Sequence, residues 1–139
     1  MSLRATPPAV RMSKPPVPDE VRRFILTSIP SVPFLEALLL LRSRPQDSWD
    51  AALVARRLYV GDAHALALLQ SLAEARIATV GADGRYRYAP DSAGMREVID
   101  ALAATYSANL LGVTELVHSR LDKRALQFAD AFRWQKKEN

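Results

Sequence analysis

Apolar residues recur along this chain with two periods, and the switch between them marks out its elements. Val21, Phe24 and Ile25 share one side of a short helix over 19–28, opened by Pro18 and Asp19 and stopped by Pro30. Ser31 caps a second helix with Pro33 in its first turn. Its apolar face, Phe34, Leu35, Leu38, Leu39 and Leu41, is broad enough to be buried on most sides. Arg44-Pro45-Gln46-Asp47 reads as a loop, after which Ser48 is expected to cap a helix over 49–58. The expected buried face of that helix is Trp49, Ala52, Leu53, Ala55 or the Arg56 stem, and Leu58. Tyr59-Val60-Gly61-Asp62 is the turn, with Gly61 supplying backbone freedom and Asp62 capping the next helix. Over 63–75, Ala65, Leu68, Leu69 and Leu72 keep the i, i+3, i+4, i+7 rule.

The period then drops to two. Residues 77–80 form a short strand, and Gly81-Ala82-Asp83-Gly84 carries an Asp-Gly step that signals a hairpin. Arg85-Tyr86-Arg87-Tyr88 alternates strictly, so the tyrosines face the core and the arginines the other way. Beyond Pro90, Asp91 or Ser92 opens a last long helix over 92–118. Its seam is Met95, Ile99, Leu102, Tyr106, Leu110, Val113 and Val117, close to heptad spacing. From Met95 to His118 such a helix is about 36 Å long. That is too long to bury its seam on a small domain, so a homodimer through these seven residues is expected. The alternative is that the seam folds back on the first two helices of its own chain. Gly112 weakens this helix by ~1 kcal/mol relative to Ala and permits a kink or close approach. Leu121, Ala125, Phe128, Ala129 and Phe132 suggest one more short helix, ending in the basic, aromatic run Arg133-Trp134-Gln135-Lys136-Lys137.

The chain thus divides into a basic, Pro-rich tail (1–18), expected to be disordered or extended, a folded domain (19–91), the long helix (92–118) and a basic C-terminal helix or tail (119–139). The fold class is mainly α with a small β-hairpin. The order within 31–90, helix, helix, turn, helix, hairpin, is that of a winged helix-turn-helix.

Residues 48–88 resemble the winged helix-turn-helix of small bacterial transcription regulators. Trp49 to Leu58 (WDAALVARRL) looks like the positioning helix. Leu69 to Ile77 (LQSLAEARI) looks like the end of a recognition helix entering the wing, and Asp83 to Tyr88 (DGRYRY) like the wing's return strand. The ending Phe128 to Arg133 (FADAFR) is also similar to that of a group of small bacterial proteins, a likeness that implies no activity. The first resemblance implies that the open face of the third helix enters the major groove and that the wing touches the backbone or minor groove. Carried over by position, the DNA-binding set is His64, Ala67, Gln70, Ser71, Arg76, Arg85 and Arg87, with Leu66 at the edge. Gln70 can pair with adenine, and Arg85, Arg87 and Arg76 can neutralise phosphates. The helix departs from the pattern in carrying no Arg or Lys, while Asp62 and Glu74 repel phosphate. Arg76 stands where Gly often follows this helix.

Charge sharpens the picture. The formal net charge is +4 and the sequence pI is near 9.8. The excess is concentrated in residues 1–30 and 119–139, each net +3, while 31–75 is net −1. Basic ends suit a DNA backbone and equally suit plain solubility. There are no cysteines, which removes disulfides and thiolate chemistry and fits a cytoplasmic protein. The apolar burst Ala37 to Leu41 is far short of the ~20 residues of a membrane span. His64 and His118 lie in different elements, and no metal cluster, phosphate loop or nucleophile elbow is present in the sequence. The expectation is a DNA-binding transcriptional regulator without catalytic residues, metal or cofactor. The alternative is a winged-helix protein-interaction module that meets a protein partner and no DNA.

Overall fold

Most helix boundaries follow from local signals. A computed structural model describes residues 15–120 and shows a mainly helical chain with one small antiparallel hairpin. Helix α1 (Asp19–Ser28) carries Asp19 and Glu20 in its first turn, where the helix dipole favours acids, and buries Val21, Phe24 and Ile25. Helix α2 (Val32–Ser43) begins where the Ser31 hydroxyl accepts the Phe34 amide at 3.2 Å. It buries Phe34, Leu35, Ala37, Leu38 and Leu41 and forms the centre of the core. The chain bends by 115° between α1 and α2, and among the described residues no single helix is long and apolar enough to cross a membrane.

Helix α3 (Ala51–Leu58) differs from the sequence expectation in start and in face. Its cap is Asp50, whose carboxylate accepts the Leu53 amide at 2.9 Å; Ser48 is not the cap. Trp49 is not helical. It pairs with Tyr86 in an isolated antiparallel bridge, with Trp49 N donating to Tyr86 O at 2.7 Å and Tyr86 N to Trp49 O at 2.8 Å. The buried stripe is Val54 and Ala55, flanked by half-buried Ala51, Leu53 and Leu58. Ala52 is exposed, contrary to expectation, and of the Ala55 and Arg56 alternatives Ala55 is the buried one while Arg56 faces solvent.

The turn to α4 (Asp62–Glu74) also departs from expectation. Tyr59 takes the left-handed conformation, φ 59° and ψ 45°, and closes α3. Gly61 sits at the N-cap with an ordinary φ of −73°, and Asp62 is already helical and caps nothing. The stripe Ala65, Leu68, Leu69 and Leu72 is buried as its spacing predicts. Strand β1 (Ala78–Val80) pairs with β2 (Tyr86–Tyr88) in the register Ala78–Tyr88, Thr79–Arg87, Val80–Tyr86. Tyr88 is buried, Tyr86 half-buried, and both arginines are exposed. Gly84, at φ +80°, supplies the left-handed residue of the turn.

The long helix is two helices. Helix α5 (Ala93–Ala108) starts at Ser92, whose hydroxyl accepts the Met95 amide, and stops at Asn109; helical backbone resumes over 110–120 as α6. Asn109 serves both ends. Its amide donates to Thr105 O, its Oδ1 accepts the Gly112 amide at 2.9 Å, and its Nδ2 donates to Pro15 O at 3.0 Å. A Cβ on Gly112 would lie 2.8 Å from the Asn109 Cγ, so glycine leaves room for the cap. The expected rod of about 36 Å is therefore interrupted at Asn109. Ile99, Leu102, Val113 and Val117 are wholly buried in the one core that α1 and α2 also build. Met95 and Tyr106 are half-buried and Leu110 is exposed. Four of the seven seam residues thus pack within their own chain, as the alternative expected for the seam. The expected 1–18 tail and 119–139 helix lie largely outside the described residues.

Candidate functional site

Two surfaces compete for the role of working face. One is the open side of α4. His64, Ala67 and Gln70 are exposed, Ser71 is half-buried, and Leu66 is 41% exposed. Between Arg57 and Arg76 the sequence holds no Lys or Arg, and Asp62 and Glu74 stand at the two ends of the helix. This face offers a DNA base Gln70 and Ser71 as hydrogen-bonding partners and offers phosphate no Lys or Arg.

The other surface is built around the hairpin. Direct opposition in the register puts Thr79 and Arg87 on the outward face of the sheet, with Arg85 two residues before on the same side. Arg87 Nη2 donates to Ser48 Oγ at 3.1 Å, and Arg85 Nη2 lies 3.7 Å from Asp50 Oδ2. The Trp49–Tyr86 bridge makes both contacts possible, because it lays residues 48–50 alongside β2. Arg76 holds a left-handed φ of 64° at the hairpin base and stays 75% exposed, with its guanidinium 3.8 Å from Asp91.

Behind the hairpin, the 44–49 segment and the outer side of α3 enclose an open basin of about 590 Å³. Arg44, Arg56, Arg57 and Arg85 line it, with Asp47 among them. Arg44 lies 3.6 Å from Asp47, and the Arg57 guanidinium lies 5.8 Å from the Trp49 ring centroid, within cation–π range. Among the described residues Arg56 and Arg57 have no carboxylate partner. Trp49 is 3% exposed and its indole Nε1 has no hydrogen-bond partner. A second shallow cavity on the outer face of the hairpin, about 420 Å³, shares Ser48 and Arg85 with the first and adds Arg87. No α4 residue lines either.

A third cluster ties α5 to α2 and to the sheet. Arg42 Nε donates to Asp100 Oδ1 at 2.9 Å, and the Arg96 guanidinium lies 5.7 Å from the Tyr88 ring centroid. Burial, helped by Asp100, pushes the Tyr88 phenol above its ordinary 10.0, against the opposing pull of Arg42 and Arg96. Tyr106 is raised by burial and then by Glu36. The Tyr88 hydroxyl is buried without a partner. Among the described residues no group of three or more His, Cys, Asp or Glu could hold a metal ion.

The structure thus brings Arg85 and Arg87 together, sets Arg76 at the base of the same hairpin, and leaves His64, Ala67, Gln70 and Ser71 on a separate helix. Sequence reasoning missed Arg44, Arg56 and Arg57. The usable signal was Asp50 with Leu53 at N3: a helix capped there puts 56 and 57 on the outer stripe. The chain matches no protein-family model, no curated protein and no solved structure.

Proposed function

We propose that this chain is a DNA-binding transcriptional regulator built on a winged helix-turn-helix, with α3 and α4 as the helix pair and the hairpin as the wing. The observation that carries the reading is the Trp49–Tyr86 bridge. It adds a rung from the segment before α3 to the far side of β2, and the resulting order, helix, strand rung, helix, turn, helix, hairpin, supports this reading. The outward Arg85 and Arg87 give the wing the charge a phosphate contact needs.

Titration of the protein into random-sequence duplex DNA at two salt concentrations, followed by anisotropy, tests the proposal. Binding should weaken steeply with salt. Arg85→Ala with Arg87→Ala should weaken binding to every sequence and reduce the slope of log K against log[salt] by up to about 1.8, at ~0.9 per phosphate. Gln70→Ala should relax preference at one base pair. Absence of binding at low salt contradicts the reading.

One observation favours a second reading, a protein-interaction module. Leu66 is 41% exposed on a face with no Arg or Lys, which suits an apolar partner better than a groove. Loss of a captured partner on Leu66→Asp, with duplex binding absent in the parent protein, would select this reading. The basic, aromatic run at Trp134, a second place where such a partner could be met, lies outside the described residues.

A further inference from the structure

We propose that the basin between the 44–49 segment, α3 and the wing is a binding site for duplex backbone phosphates, with Arg44, Arg56 and Arg57 as contacts beside Arg85. The inference rests on the DNA-binding reading and moves the main electrostatic contact away from α4.

Three observations carry it. The first is charge concentration. Four guanidiniums line one basin, and the opposing carboxylates are Asp47, 3.6 Å from Arg44, and Asp50, 3.7 Å from Arg85. Arg56 and Arg57 have no carboxylate partner among the described residues. Unpaired, exposed guanidiniums held close together repel one another and gain from an incoming anion; the planar donor fork matches phosphate oxygens.

The second is rigidity. Arg57 stacks on Trp49, and Trp49 is pinned by two backbone hydrogen bonds to Tyr86 and is 3% exposed. Arg85 leaves the strand residue next to that rung. The charges are therefore held on a stiff base, which reduces the entropy lost on binding.

The third is shape and continuity. The basin is open, and it joins the outer face of the hairpin through Ser48 and Arg85, where Arg87 continues the row. A site for a small phosphorylated ligand would enclose most of its surface. An open row of five arginines suits a polyanion that lies across it. A duplex also supplies phosphates at regular spacing, so that several arginines act at once.

The test uses the full chain and a random-sequence duplex, read by anisotropy across a salt series. Wild-type protein is compared with the triple variant Arg44→Ala, Arg56→Ala, Arg57→Ala, in which the wing arginines are untouched. The proposal expects the triple variant to lose at least tenfold in affinity at low salt and to lower the log–log salt slope by about 2 to 3, from ~0.9 per phosphate. Arg56→Glu is the second variant, because Arg56 is exposed and does not stack on Trp49; it should lose several-fold with an unchanged circular dichroism spectrum and melting point. If both variants bind like wild type while Arg85→Ala with Arg87→Ala does not, the basin is not a phosphate site and the DNA-binding reading stands. If wild-type protein does not bind the duplex at low salt, both fall. If inorganic phosphate at low millimolar concentration protects the basin and the duplex does not compete with it, the site belongs to a small phosphorylated ligand and the proposal is overturned.

Discussion

The open face of α4 and the arginine basin lie in the same small domain and are built in opposite ways. The α4 face is assembled from one helix, by local spacing alone, and its exposed side chains are mostly small or neutral. The basin is assembled from three separate segments and holds four arginines around a nearly buried tryptophan. In a winged helix-turn-helix the helix is expected to read bases and the wing to assist. Here the arginines sit on the hairpin side, and α4 carries none. The contrast teaches that a recognisable order of elements does not by itself locate the working surface; the distribution of charge over the folded chain has to be consulted.

The contrast can be broken most forcefully at Trp49. Trp49→Ala should cost about 3–5 kcal/mol, since it empties a core site and removes the support beneath Arg57. Ala67→Ser on the open face of α4 should stay within about 0.5 kcal/mol. Urea denaturation measures both, and comparable losses would mean that α4's open face is packed against something in solution.

A smaller effect concerns the two strained residues. Tyr59 and Arg76 hold left-handed backbone, which costs a non-glycine residue roughly 1–2 kcal/mol. Tyr59→Gly and Arg76→Gly should each raise stability by about 1 kcal/mol in thermal or urea melts. Arg76→Gly should also weaken duplex binding if the hairpin base contributes a phosphate contact, whereas the 94%-exposed Tyr59 should be silent in that assay if the basin dominates.

The core behind the hairpin makes a pH-dependent prediction. The native state raises the Tyr88 phenol above 10.0, so it holds that proton more tightly than the unfolded chain does. The associated stability is complete below about pH 10 and is lost as pH climbs through the raised value. Tyr88→Phe should flatten this alkaline decline. By deleting a buried hydroxyl that has no partner, it should also leave neutral-pH stability unchanged or raise it by up to about 1 kcal/mol.

The smallest effect is expected at Gly112. Alanine there gains ~1 kcal/mol of helix propensity and disturbs the Asn109 cap, worth ~1 kcal/mol, so the two nearly cancel. The amide resonance of residue 112 should nevertheless move, because its hydrogen bond to Asn109 Oδ1 is lost.

Elements set by near neighbours were legible in the sequence. The helix over 19–28, the Ser31 cap, the stripe Ala65–Leu68–Leu69–Leu72 and the alternation of Tyr86 and Tyr88 against Arg85 and Arg87 all follow from contacts within a turn or across a tight hairpin. Features that depend on a distant partner were not. Trp49 reads as the start of a helix until Tyr86, far along the chain, pairs with it; that single rung takes Trp49 out of the helix and leaves the cap at Asp50. The break at Asn109 was hidden for another reason. The apolar seam keeps its spacing across it, and the cap that interrupts the helix is a polar residue lying between seam positions. The basin was invisible because Arg44, the Arg56–Arg57 pair and Arg85 approach one another through tertiary contacts alone.

The central claim is that phosphate is met by the basin and wing arginines and that the open face of α4 is secondary. Titrating a short random-sequence duplex into ¹⁵N-labelled protein and following amide and arginine Nε resonances tests it directly. The account predicts that the shifts concentrate on residues 44–57 and 79–87, with the arginine Nε signals moving most and residues 63–71 nearly still. Shifts that centre on 63–71, leaving Arg44, Arg56 and Arg57 unmoved, would contradict it.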